Sequence, residues 1–186
     1  MTEYFDLRAP DGSVTGAVKE RSLVHLDGDL HGTAHVWIAR MERGEPFLLL
    51  QKRSRIKDAY PGCWDISSAG HLPAGSDFRE SALRELCEEL GVSAAPDDLR
   101  FLGFRHRIVH EMFHNKPFVD NEYAAVYLLL RQIDPAKLIL QEEEVEAVQF
   151  FPLSKILARL DDPAFPNCLY RDELEMVASA CTQRNQ

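Results

Sequence analysis

Three glutamates, Glu85, Glu88 and Glu89, stand at i, i+3 and i+4. On a helix that spacing puts their carboxylates on one face, where they repel one another unless a cation sits among them. Mg²⁺ suits such a place, because it prefers oxygen ligands, keeps several waters and is completed by substrate phosphates instead of a full protein cage. An open shell of carboxylates therefore points to diphosphate chemistry. The plainer alternative is a solvated face on which Arg84 pairs Glu80 and Glu88 at i,i±4.

The element that must carry these acids is a helix over Asp77 to Leu90. Phe78, Ala82, Leu83, Leu86 and Leu90 recur at three- and four-residue steps, Asp77 with Glu80 forms a capping box, and Gly91 ends the run. Further helices are expected over Leu153 to Leu160 and Arg171 to Cys181. An N-terminal hairpin is expected from Tyr4 to Leu7 and Val14 to Val18, turned by Pro10-Asp11-Gly12-Ser13. Strands follow at Thr33 to Arg40, Phe47 to Arg53, Arg100 to Val109, Glu122 to Arg131 and Glu146 to Phe151. The class is α/β with a mixed sheet.

The length of 186 residues fits one domain over residues 1–186. With 30 acidic against 21 basic residues and a formal charge of -9, the chain lacks the cationic surplus that binds a nucleic-acid polymer. A small anion held through a metal stays compatible with that charge. The longest apolar stretches, residues 47–50 and 124–130, fall far short of the roughly 20 needed to cross a bilayer, and the start is acidic. No membrane span or secretory signal is expected. Cys63, Cys87, Cys168 and Cys181 lack zinc-knuckle spacing and are too few for a disulfide framework, which reads as a reducing cytoplasm.

From Gly70 through Arg84-Glu85-Leu86-Cys87-Glu88-Glu89-Leu90-Gly91-Val92 the sequence resembles the box of the Nudix (MutT-like) hydrolase superfamily. That pattern reads Gly, five residues, Glu, seven residues, Arg-Glu, an aliphatic residue, any residue, Glu-Glu, any residue, Gly and an aliphatic residue. Ser76 stands where the first Glu belongs, a position that in the family mostly supports the loop; Asp77 or Glu80 is a candidate substitute. The resemblance implies an α/β/α sandwich whose loop and helix hold Mg²⁺ or Mn²⁺ against a diphosphate, with Glu85, Glu88 and Glu89 as ligands.

Over roughly residues 4–160 the chain is also similar to the isopentenyl-diphosphate isomerase branch of that superfamily. Those enzymes use a metal site of three His and two acidic residues and a catalytic Cys just before the loop Gly-His pair. His25, His31 and His71 match the three His, and Asp120 and Glu122 match the acidic pair. Ala69 occupies the place of the Cys, Cys63 is six residues away, and an alanine has no atom with which to exchange a proton. The full set of box glutamates favours hydrolysis of a small diphosphate, with Glu88, Glu89 and Glu122 as catalytic residues. An isomerase and a non-catalytic nucleotide-binding module are the alternatives.

By the same resemblance Arg53 and Lys57 grip diphosphate, and Trp64 lines the pocket. A solvated basic loop and a core aromatic are the plain alternatives. Residues 106–118, with His110-Glu111-Met112-Phe113-His114, read as a recognition loop or lid. Dimers are common among such relatives, which leaves a homodimer open.

Overall fold

The computed structural model describes residues 2–113 and 115–182. It opens with the expected hairpin, β1 (Tyr4–Arg8) and β2 (Val14–Glu20). A helix absent from the sequence reading follows, α1 (Arg21–Asp27), closed by Gly28 in the left-handed conformation with its N–H on the Val24 carbonyl. Seven residues without a side-chain cap leave no 3.6-residue period to detect, yet this turn carries His25.

Next come β3 (His31–Glu42), β4 (Glu45–Arg53), and two short strands the sequence did not disclose, β5 (Trp64–Asp65) and β6 (Ser68–His71). Helix α2 (Phe78–Leu90) matches expectation. The Asp77 side chain accepts from the Arg79 and Glu80 backbone N–H groups, and the Gly91 N–H closes on Cys87 and Leu86. The chain continues through β7 (Leu99–Phe113), β8 (Lys116–Leu130), β9 (Val145–Pro152), α3 (Leu153–Arg159) and α4 (Arg171–Thr182).

Strands β7 and β8 pair from Leu99↔Leu129 to Phe113↔Lys116, with a bulge before Gly103. The stretch read from sequence as a recognition loop is therefore mostly a two-stranded ribbon. Alternating Ile108, His110 and Met112 suit the pleat, and Asn115 at φ 61° turns the tip. His114 lies outside the described residues.

The sheet is mixed: β3 runs parallel to β8 and antiparallel to β1, β4 and β6. One flank of β3 is shared, with β6 paired at residues 33–36 and β4 at residues 38–42. Alternation assigns the faces. Ala34, Val36 and Ile38 of β3 join Leu86 and Leu90 of α2 in one core, and Trp37 and Ala39 join Leu174 and Val177 of α4 in the other. Each buried leucine adds about 1.5–3 kcal/mol to holding its helix on the sheet. Helices on both faces make the α/β/α sandwich. The four cysteines are free thiols, and no helix of the described residues is long and apolar enough to cross a membrane.

Candidate active site

The three box glutamates do not share one environment. Glu85 lies across β6, where Gly70 leaves room: a Cβ there would fall inside the Glu85 carboxyl group. Glu89 is buried, and its Oε2 accepts the Ala69 N–H at 3.3 Å and the Gln51 amide at 3.5 Å. Glu88 is 53% exposed and pairs with Arg84 at 3.0 Å. Arg84 also holds Glu85, at 2.7 Å, in place of the Glu80 pairing considered from sequence. Burial, with the charge of Glu88 added and Arg84 opposing, pushes the Glu85 carboxyl up to about 7. Burial and the neighbouring Glu85 and Glu144 push Glu89 up to about 8. The loop before α2 is tied by the Gly75 N–H on Asp6, 2.6 Å, while Ser76 donates its N–H to Pro73.

On the opposite face, α1, β3, β6 and β8 bring His25, His31, His71 and Asp120 together, with one ligand atom from each lying within 4.8 Å of the others. The Nε2 atoms of all three histidines and Oδ1 of Asp120 are shut off from solvent without a hydrogen-bond partner. Four orphaned lone-pair donors facing one point fit a metal ion, since buried polar atoms otherwise find partners. His31 Nδ1 lies 2.9 Å from the Asp29 carbonyl, which turns its Nε2 toward Asp120, 3.6 Å away, and against the pull of burial the acids Asp120 and Glu122 raise its pKa. Phe5 stacks on His31 and His71, and Phe118 on His25, fixing the ring planes. Burial, with neighbouring positive charge, lowers His25 and His71, so both stay neutral as a metal ligand must.

Glu122, two residues beyond Asp120 on β8, is half-buried, and its carboxyl is pushed up by desolvation and by Asp120. His35, on the same face of β3, was not singled out in the sequence. Its Nε2 lies 3.8 Å from Glu122, and its Nδ1 lies 3.0 Å from Glu173 of α4. Glu173, fully buried, also accepts from Trp37 Nε1 and Arg105 Nη1. Burial alone would lower His35, but Glu173 and Glu122 lift it to about 9. The signal was present in the polar alternation His31, Thr33, His35 at one end of an otherwise apolar strand.

The residues read as substrate-binding already have partners within the chain. Arg53 donates to Asp65 at 2.9 Å and to the Ala59 carbonyl, and Lys57 to Glu144. The Trp64 ring packs on Phe151 and Phe165, at the margin of the α4-side core.

A family model for the NUDIX domain matches residues 29–172. Nudix hydrolase 3 of Arabidopsis thaliana is 42% identical over 169 residues, 88% of this chain, and the chain spans 21% of that relative's length. An isopentenyl-diphosphate Delta-isomerase of Escherichia coli is 29% identical over 161 residues, 87% of this chain and 83% of that one. The crystal structure of DR0079 from Deinococcus radiodurans shares the fold, with a TM-score of 0.67 at 19% identity over 95% of this chain and 98% of that one.

Proposed function

The chain belongs to the NUDIX family, and on that premise we propose that it is a divalent-metal-dependent hydrolase cleaving a diphosphate linkage in a nucleotide-type or other small diphosphate. The observation that carries this reading is the pair of α2 carboxylates packed against β6, half-buried Glu85 over Gly70 and buried Glu89 on the Ala69 N–H. Desolvation pushes both upward, so a positive charge in place of their protons is favoured, and a divalent cation would supply it. Mg²⁺ or Mn²⁺ bound there supplies positive charge against the phosphates and lowers the pKa of a bound water.

The chain's own residues do the rest. Glu85 and Glu89 would hold the cation, with Glu88 adding its charge from the solvent side. On the opposite face, Glu122, raised toward neutral pH and with His35 Nε2 3.8 Å from its carboxylate, is the group suited to accept a proton beside the histidine cluster. The histidine cluster offers three imidazoles and one carboxylate, a donor set that suits a first-row transition ion better than Mg²⁺.

That cluster also supports an isomerase reading, but Ala69 presents a methyl group where such an enzyme exchanges a proton. The deciding experiment follows phosphate and pyrophosphate release from nucleoside di- and triphosphates, nucleotide sugars and prenyl diphosphates with Mg²⁺ or Mn²⁺. Metal-dependent turnover that falls by about 10- to 100-fold in Glu89→Gln supports hydrolysis. Conversion of isopentenyl to dimethylallyl diphosphate without phosphate release would replace it with the isomerase, and binding without either reaction with a non-catalytic module.

A further inference from the structure

Two arginines of different standing lie on the α4 side of the sheet. Arg105 and Arg107 are two residues apart on β7, and both guanidinium groups lie over the Tyr170 ring, 4.4 and 3.5 Å from its centre. Arg105 is fully engaged, with Nε on Asp172 at 2.6 Å and Nη1 on Glu173 at 3.4 Å. Arg107 has no hydrogen-bond or carboxylate partner among the described residues, and its Nε is shut off from solvent. Glu122 stands directly across from it in the β7–β8 register, on the same face, and does not pair with it.

The cations read from sequence as the diphosphate grip are in the opposite condition. Arg53 holds Asp65, Lys57 holds Glu144, and Arg84 holds Glu85 and Glu88. We propose that Arg107, braced on Tyr170 and directly opposite Glu122, is the residue that binds an oxyanion of the substrate, a phosphate group in the diphosphate reading on which this inference rests. Stacking fixes the guanidinium plane without using any of its N–H groups, so the two terminal nitrogens, unlike the shielded Nε, stay preorganised for two phosphate oxygens. A partly buried arginine left without an acid is otherwise costly to keep, as the full pairing of its neighbour Arg105 illustrates. Burial pushes the Tyr170 phenol up to about 12, so it stays protonated and offers an O–H beside the same anion.

The test is calorimetric titration of the full chain with inorganic pyrophosphate in the presence of a chelator, so that neither metal nor turnover contributes. Saturable binding that weakens about tenfold or more in Arg107→Gln, less in Arg107→Lys, and not at all in Arg55→Gln is the expected result. Arg55 is the control because its side chain is 78% exposed and paired with Glu146. Lysine keeps the charge but loses the flat fork, so it also separates anion recognition from general folding, which circular dichroism checks in each variant. Equal affinity in wild type and Arg107→Gln, or no saturable binding by wild type, overturns the assignment. The hydrolase reading is judged separately: binding through Arg107 without turnover of any diphosphate removes that reading alone, whereas hydrolysis by Arg107→Gln at unchanged KM removes this one.

Discussion

The Glu85 carboxylate occupies the volume that a side chain at Gly70 would fill. Gly70 has no positive φ, so the glycine is needed for space and not for backbone freedom. Gly70→Ala is expected to displace the flexible end of Glu85 at little cost to the fold, lowering kcat at least tenfold while the melting temperature moves by no more than a few degrees. Steady-state kinetics beside calorimetry checks this; an alanine variant with wild-type kcat would show that Glu85 is not needed where it lies.

Metal-free stability is expected to fall as pH rises from 6.5 to 8.5. In the fold Glu85 and Glu89 keep their protons to about 7 and about 8, against an ordinary value of 4.5, so the folded state binds more protons than the unfolded chain across that interval. His35, raised to about 9, acts in the same direction above its ordinary 6.5. His25 and His71 are shifted down and oppose this only below 6.5. Divalent metal replaces the protons, so Mg²⁺ or Mn²⁺ should raise the melting temperature more at pH 8.5 than at 6.5. A melting temperature that climbs with pH in chelator contradicts this account.

His31→Gln is expected to weaken transition-metal binding by about 10- to 100-fold, because the Nδ1 bond to Asp29 holds this ring's Nε2 toward the other three donors. Competition with a chromophoric chelator measures it. His106, exposed and bonded to Asn121, provides the control. Equal affinities in wild type, His31→Gln and His106→Gln would dismiss the cluster as a metal centre.

Glu173→Leu should be the most damaging of these changes to the fold. It leaves His35 and Arg105 as buried cations without the acid between them, a loss of about 3–5 kcal/mol. For a domain of this size that lowers the melting temperature by roughly 6–20 °C. Asp172→Asn, at a side chain 61% exposed, should cost less than about 1 kcal/mol. Urea titration of the two variants separates these outcomes.

Helix α2 was legible because every signal agreed: a period of apolar residues, an acid that caps, a glycine that stops. Nothing of the kind marks α1 or β6, which are too short for a period, so His25 and His71 entered only through the resemblance of their surroundings. The His35–Glu173 pair was hidden for a different reason. Its members are 138 positions apart, and Glu173 sits in the first turn of α4, where an acid is expected on solvent grounds alone. The ribbon of β7 and β8 was misjudged because its outer residues, such as His106 and His110, are exposed and polar on a strand that leaves the core behind.

Strand β3 places His31, Thr33 and His35 in the site and Trp37 and Ala39 in the core on the same face, against Asp120, Glu122, Val126 and Leu128 of β8. A slip of one residue in this pairing would send the histidines toward α2 and turn Ala34 and Val36 toward α4. The error would strand buried imidazoles among leucines and be rejected for that reason. Folding thus proofreads the cluster: a chain that has closed its hydrophobic interior has, in the same act, set these imidazoles and carboxylates in register.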